Sequence, residues 1–414
     1  MKTLIGYEKK KLLRRKSAMI ACLLMVLCIF AASLVVISDQ GWFQEDCTEL
    51  SGIRAIRAER AVTQTQAGLL TPERLKSTLR RFHMVYGDPS NYNSETGSLQ
   101  DEVYCKEISP YRRILTLLAR VYAPFGFYDI KVLNDVTEEM ADNFYEIRHA
   151  NVRTLLDMEL TTGNFTQAEK DTALKLDQQV SRPFYYNYTG GWKALLTRTF
   201  SLSFLLITLA LCVIISPVFG YEYQTGTDAV VLSAKRGRGE IVRAKITAGF
   251  LAASEVYALG VCAMLLCVLV PFGAEGWNCE FQLLSETSFY SLKIWQVALL
   301  GILINYIVML SVMAFTMLLS AVCKTPFAAV IASMLCTAVP LFFPASNTSS
   351  LLNHILALLP AQAMDTYTVF SAYMFFPAGK TVITLPYMIP IAASVLIMAA
   401  LPLAHRGFCK HQVV

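Results

Sequence analysis

"YEYQTGTDAVVLSAKRGRGEIVRAK", Tyr221 to Lys245, is a polar and basic interruption between two long apolar runs. If both runs cross a membrane, this stretch is a loop of about two dozen residues, counted from those bounds, protruding on one side. Composition favours that reading. Of 414 residues 55% are hydrophobic and 16% charged, well below the roughly 25% charge of soluble domains. A helical span takes about 20 apolar residues. Runs of that kind stand at Ser17–Ile37, Thr199–Phe219, Ile246–Val270, Ile294–Val322, Pro326–Phe343 and Leu385–Ala404. The expected fold is an all-α polytopic membrane protein with six transmembrane helices.

The first run has the basic flank of a signal peptide. Its apolar core exceeds the usual ~7–15 residues and no small-x-small cleavage site follows it, so it reads as a retained helix. Lys2, Lys9, Lys10, Lys11, Arg14, Arg15 and Lys16 precede it against the single acid Glu8. The Lys/Arg bias therefore places the N-terminus in the cytoplasm. Alternation then puts Lys235, Arg236, Arg238, Arg243 and Lys245 inside, with the Lys324 turn and the 405–414 tail carrying Arg406 and Lys410. The chain divides accordingly into 1–16, a first span at 17–37, a large outer domain at 38–198, a second span at 199–219, a loop at 220–245, and further spans within 246–404. The expected location is the cell membrane, with both termini cytoplasmic.

The outer domain holds 22 acidic residues against 18 basic ones counted to Lys193, a formal balance of −4. That mixed, low net charge describes a solvated globular surface and excludes a nucleic-acid arm. Its signals are helical. Thr71-Pro72-Glu73 is a cap, first-turn proline and acid, followed by Leu75, Leu79 and Phe82 on one face. Ser109-Pro110 repeats the device, Thr166-x-x-Glu169 is a capping box, and Val136–Leu160 is helical in pattern. "FGFYDIKVL" is the one weak strand candidate. Phe184, Tyr185, Tyr186, Tyr188 and Trp192, with Trp42, read as an aromatic belt at the water interface, in preference to a carbohydrate-binding patch.

Most of the eleven cysteines lie in or beside apolar runs, as small buried hydrophobes. Cys47, Cys105 and Cys279 fall on the outer side, where Cys47 and Cys105 are candidates for a disulfide. Neither a CxxC nor a Cys/His ligand spacing occurs, so no metal site is expected. Asn164, Asn187 and Asn347 sit in glycosylation tripeptides, a frequent pattern that matters only in a host that uses it. HExxH, GxSxG and a complete phosphate loop are all missing; "MFFPAGKT" ends in Gly379-Lys380-Thr381 but has Met374 at the position of the first glycine. No catalytic residue and no nucleotide site is therefore expected in this chain.

Two polar residues fall inside predicted spans. Glu255, ten residues past Lys245, lies about 15 Å further along a helix, near mid-bilayer. It reads either as a substrate-path or gating carboxylate or as an interhelical hydrogen-bonding acid. Asn305 has the same two readings. Leu351–Phe376 is apolar but broken by Pro360 and Asp365. Short helices dipping back into the bilayer over 351–376 keep the charge-derived orientation, and a full span does not.

The loop and its flanks resemble the membrane subunits of ATP-binding cassette (ABC) transporters of the ABC-2 export type. The residues that carry the resemblance are Glu222, Gly226-Thr227, Leu232-Ser233, Gly237-Arg238 and Lys245, with "YEKKKLLRRK" resembling that family's amphipathic elbow along the cytoplasmic face. The outer domain is not covered by it. The resemblance implies an ABC permease whose loop forms a coupling helix seated on a separate cytoplasmic ATPase, which binds ATP and Mg. Arg236, Arg238 and Lys245 are the expected contacts, and Glu222 is expected to contact the partner or to orient or cap the loop. It also implies a homodimer or a heterodimer with a second permease, since six spans supply half a pathway. In the bland reading the cations only meet membrane lipid headgroups. The alternative function is a multi-pass receptor or sensor whose outer domain binds a ligand. The substrate is not legible.

Overall fold

The computed structural model describes residues 1–124, 128–158, 164–234, 237–323, 325–343, 349–379 and 381–410. It is mostly helical. Five helices are long and apolar enough to cross a membrane: Lys16–Ser38, Gly190–Thr225, Gly237–Phe272, Ile294–Val322 and Leu385–Cys409. This is the architecture of a multi-pass membrane protein. The expected fifth run is shorter than the others, an apolar helix over Pro326–Phe342 whose last turn tightens at Val339–Phe342, where Pro340 interrupts the pattern.

The domain after the first long helix stands at one end of the bundle, the domain side; the Tyr221–Lys245 stretch stands at the other, the loop side. The short apolar helix connects the two. Pro326 packs against Gly220 on the loop side, and the Pro340 carbonyl accepts from Gln362 Nε2 at 3.4 Å towards the domain side. Both ends of the described chain lie on the loop side, since Glu8 reaches Lys245 and the Cys409 thiol donates to the Arg238 carbonyl.

The second and third long helices have 36 residues each, about 54 Å at 1.5 Å per residue, against a hydrocarbon core of about 30 Å. They therefore continue past the bilayer. The second is interrupted at Ser216-Pro217, where proline removes a donor from the backbone ladder. Ser320 of the fourth long helix repairs the break. Its Oγ donates to Ser216 O at 2.5 Å and accepts from Phe219 N and Gly220 N, each at 3.0 Å. Backbone groups in hydrocarbon need such partners.

Residues of the expected re-entrant segment form short helices at Ser350–Leu358, Pro360–Ala363 and Thr366–Ser371, then a hairpin pairing Phe375–Ala378 with Thr381–Thr384. Asn305 is buried and its Nδ2 donates to Gly301 O at 2.9 Å and to Thr366 Oγ1 at 3.3 Å. Asn305 lies eleven residues beyond Ile294, so Thr366 sits about 16 Å into the fourth long helix. The proline and the Asp365 cap keep the segment from forming one continuous helix.

The domain core joins Leu75, Leu79 and Phe82 of Pro72–Tyr86 to Leu115, Leu118 and Val121 of Arg112–Tyr122. Thr71 caps the former, and the Thr166–Glu169 box opens Gln167–Asp177. Three expectations are corrected here. "FGFYDIKVL" gives no strand over its described residues, because Asp129 caps a tight helical turn at Ile130–Asn134; residues 125–127 lie outside the description. Val136–Leu160 is helical in two pieces over its described residues, Glu138–Asp142 and Phe144–Asp157; residues 159–160 lie outside the description. The proposed aromatic belt is largely interior: Trp42, Phe184, Tyr186, Tyr188 and Trp192 are all buried, and Trp192 Nε1 donates to Ala274 O at 2.9 Å. Aromatics exposed at the domain-side helix ends include Trp277, Trp295, Phe342 and Tyr387, which a reading confined to one linker had no reason to collect.

A buried ionic clamp fixes the domain to the bundle. Arg148 is held by Asp177, donates from Nε to Glu286 O at 2.7 Å, and bonds the Ser288 carbonyl; His149 Nδ1 meets the other oxygen of Asp177. Glu286 and Ser288 belong to the connection between the third and fourth long helices. A fully buried arginine here consumes the polar groups of two segments at once.

Candidate functional site: the loop and its ionic anchor

The loop is shorter than its polar sequence suggests, because both flanking helices run into it. Helix Pro217–Thr225 ends at Gly226, whose φ of +64° is a left-handed conformation that glycine adopts without penalty. Thr227 N donates to Glu222 O at 3.0 Å and Gly226 N to Tyr223 O at 3.3 Å, the paired bonds of a Schellman ending. The Gly226-Thr227 pair thus has a structural meaning as a helix stop. A short helix follows at Asp228–Ser233.

Gly237 re-enters the third long helix through a wide turn, Gly237–Ile241. A Cβ there would lie 1.6 Å from the Val231 carbonyl oxygen, so only glycine closes this return. Arg238 is exposed and touches Leu232 O at 3.3 Å through Nε. Arg243 is also exposed. Val230, 71% exposed, is the apolar tip of the short helix. Arg236 lies outside the described residues.

Glu222 and Lys245, 23 residues apart in sequence, meet beneath the loop. Each is 2% exposed. Lys245 Nζ donates to Glu222 Oε1 at 2.7 Å and to Glu8 Oε2 at 3.0 Å, and Lys11 Nζ donates to Glu222 Oε1 at 2.8 Å. Two acids and two cations form a neutral cluster where the N-terminal helix Lys2–Leu13 joins the second and third long helices. Arg15 and Lys11 stack over the Tyr221 ring at 4.2 and 5.0 Å. Lys245, expected to reach a partner or headgroups, is instead an internal group.

Glu255 takes the second of its expected readings, an interhelical hydrogen bond, with a cation of the N-terminal helix as partner. Its side chain is 53% exposed and accepts from Lys9 Nζ at 2.5 Å. The N-terminal helix packs against the third long helix, with Glu8 meeting Lys245 and Lys9 meeting Glu255. Pairing with a cation removes the cost of an isolated charge in hydrocarbon. Sequence reasoning had treated the N-terminal segment as a surface elbow and missed this packing; the solitary Glu8 among seven cations was the available signal. The interhelical bonds it also missed, Ser254 Oγ to Tyr306 Oη at 2.7 Å and Tyr257 Oη to Ile302 O at 2.6 Å, carry no charge to draw attention.

Cys47 and Cys105 are free thiols in side-chain contact. Burial, with Cys47 alongside, pushes the Cys105 thiol up to about 12. Among the described residues no group of three His, Cys, Asp or Glu stands together to hold a metal ion. The site has the build of a mechanical joint: a short projecting helix with an exposed valine and arginine, tied at its base by buried ion pairs to three helices. Compared with protein-family models, with curated proteins and with solved structures, the chain matches none.

Proposed function

We propose that this chain is the membrane subunit of an ABC transporter of the ABC-2 export type, moving a substrate with ATP hydrolysed on a separate cytoplasmic ATPase. The observation that carries the reading is the Glu222–Lys245 pair at 2.7 Å. It fastens together the two helices that bear the loop, so a force on Asp228–Ser233 moves both as one body, which is what transmission of a rigid-body stroke requires. ATP and Mg belong to the partner, as no step in this chain uses them. The short apolar helix Pro326–Phe342 is the sixth crossing, which puts both termini and the loop in the cytoplasm, the side the Lys/Arg bias favours, with the domain outside the cell membrane. Two copies, or this chain and a similar permease, enclose the pathway.

Val230 and Arg238 are the proposed contacts with the ATPase. Buried apolar and arginine side chains carry most interface energy, so the double variant V230D/R238E is expected to lower transport-coupled ATP hydrolysis about tenfold or more. Its yield and elution profile should stay as in the wild type, since neither side chain anchors the fold. Unchanged coupling in that variant rejects the loop as the ATPase contact. With the domain outside, Cys47 and Cys105 are expected to be bridged in protein from intact cells. Thiol labelling after denaturation without reductant tests this: both protected is the expected result, both labelled the contrary one.

A further inference from the structure

A cavity of about 310 Å³ lies on the domain side where the domain meets the bundle. Its walls carry Arg112, Arg113 and Arg120 from the domain helix Arg112–Tyr122, and Lys193 and Arg198 from the start of the second long helix. Among the described residues lining it, only Glu59 and Glu286 oppose them. Five cations against two carboxylates leave a formal excess of three positive charges, or two when Asp39, 3.6 Å behind Arg198, is counted.

The two wall carboxylates are already committed. Arg113 Nε donates to Glu59 at 2.9 Å with Arg112 at 3.6 Å, and Arg120 Nη1 donates to Glu286 at 3.2 Å. Burial pushes the Glu59 carboxyl up, but the charge and hydrogen bond of Arg113 outweigh it and hold Glu59 below the ordinary carboxylate range. It therefore stays anionic and fixes Arg113 in place. Lys193 has no carboxylate or other hydrogen-bond acceptor for its ammonium among the described residues. Charge of one sign gathered in a low-dielectric hollow raises the local concentration of the opposite ion.

Position selects the ligand. Val36 and Gln40, at the end of the first long helix, form one wall, and the first turns of the second long helix form the next. Both walls stand at the ends of apolar runs, the first closing at Ile37 and the second opening at Thr199, where a bilayer surface would begin. Behind Lys193 and Arg198 the second helix opens into a wide turn at Leu195–Thr199, whose carbonyls at Ala194 and Leu195 are capped by Thr199 Oγ1 at 3.4 and 3.1 Å. Such turns often mark functional positions in helices. Guanidinium forks match phosphate oxygens bidentately, and Leu117, Leu283 and Leu284 add an apolar flank.

We infer that this cavity binds the phosphate of an anionic lipid headgroup entering from the bilayer surface on the domain side. The inference rests on the chain spanning a membrane and not on the ABC reading, so the two fail separately. The test uses the purified full chain in mild detergent, titrated with dihexanoyl phosphatidylglycerol, dihexanoyl phosphatidylcholine and inorganic phosphate, read by thermophoresis. Saturable binding of the phosphatidylglycerol, at least tenfold tighter than the phosphatidylcholine and weakened about tenfold in K193Q/R198Q, is the expected result. Because neither side chain is buried in the fold, the double variant should keep the wild-type melting temperature; K193Q alone, expected to weaken binding severalfold, serves if it does not. Inorganic phosphate binding as tightly as the lipid, and lost in the same variants, keeps the phosphate site and overturns the lipid as its source. Equal binding of the zwitterionic lipid, or binding unaffected by the substitutions, overturns the inference altogether.

Discussion

Lys245→Met is expected to destabilise the protein by about 3–5 kcal/mol, the usual cost of removing one partner from a buried ion pair. Among the described residues Lys245 is the cation that forms an ion pair with Glu8 in the buried cluster, and it shares Glu222 with Lys11. Its loss strands one carboxylate and halves the charge facing the other, in a place where water cannot compensate. In detergent the loss should appear as a fall on the order of 10 °C in the temperature at which the protein stops eluting as a single species. The double variant K245M/E8Q should recover part of the loss, because the remaining Lys11–Glu222 pair is again neutral. Equal thermal stability of the wild type and K245M would mean that these charges are solvated, and the anchor at the base of the loop would have to be abandoned.

Asp177→Ala should have an effect of similar size for the same physical reason, at the opposite end of the molecule. Asp177 is wholly buried between Arg148 and His149, and Arg148 carries the hydrogen bonds to Glu286 O and Ser288 O. Without the carboxylate a buried guanidinium is left uncompensated, at about 3–5 kcal/mol. The predicted signature is local as well as global: the segment around residue 286 should become accessible to protease in the variant before the long helices do. Wild-type protease resistance together with wild-type melting would contradict the clamp. R148M/D177L, which replaces both charges by apolar side chains, is expected to be less destabilised than D177A, although it forfeits the two carbonyl bonds.

The two clamps mark where sequence reading succeeds and where it stops. Apolar runs of about 20 residues carry their own meaning, so five long helices were legible from composition and length alone. Local caps were legible for the same reason, since Thr71-Pro72 and Thr166-x-x-Glu169 act within four residues. Lys245 is singled out as a contact with something outside the chain, and Glu222 as either such a contact or a group that orients or caps the loop. Their inward pairing depends on Glu8 and Lys11 arriving from more than 200 positions away, and no local pattern encodes such a meeting. The aromatic cluster at Phe184–Trp192 failed in the opposite direction. Aromatic side chains favour both a wet interface and a core, and only the position of the domain helices decides between them.

Glu255 shows the same limit. Its depth along a helix was correctly spaced from Lys245, but whether it faced a neighbour, a path or a cation depended on where the N-terminal helix lay. Gly237 goes the other way: it enters through the resemblance, and the 1.6 Å approach of a would-be Cβ to Val231 O gives it a steric reason independent of any family. Gly226 likewise closes a helix. Part of the resemblance in this loop is therefore turn chemistry, and the case for coupling rests on the residues that the turn exposes, Val230 and Arg238.

The measurement that bears most directly on the proposed function is purification of the tagged full chain from its native membrane in mild detergent, followed by mass spectrometry of whatever accompanies it stoichiometrically. The account predicts a soluble ATPase with a phosphate loop, present with the wild type and absent with V230D/R238E. Recovery of the chain without any ATPase, or with an ATPase whose association ignores those two substitutions, would contradict it.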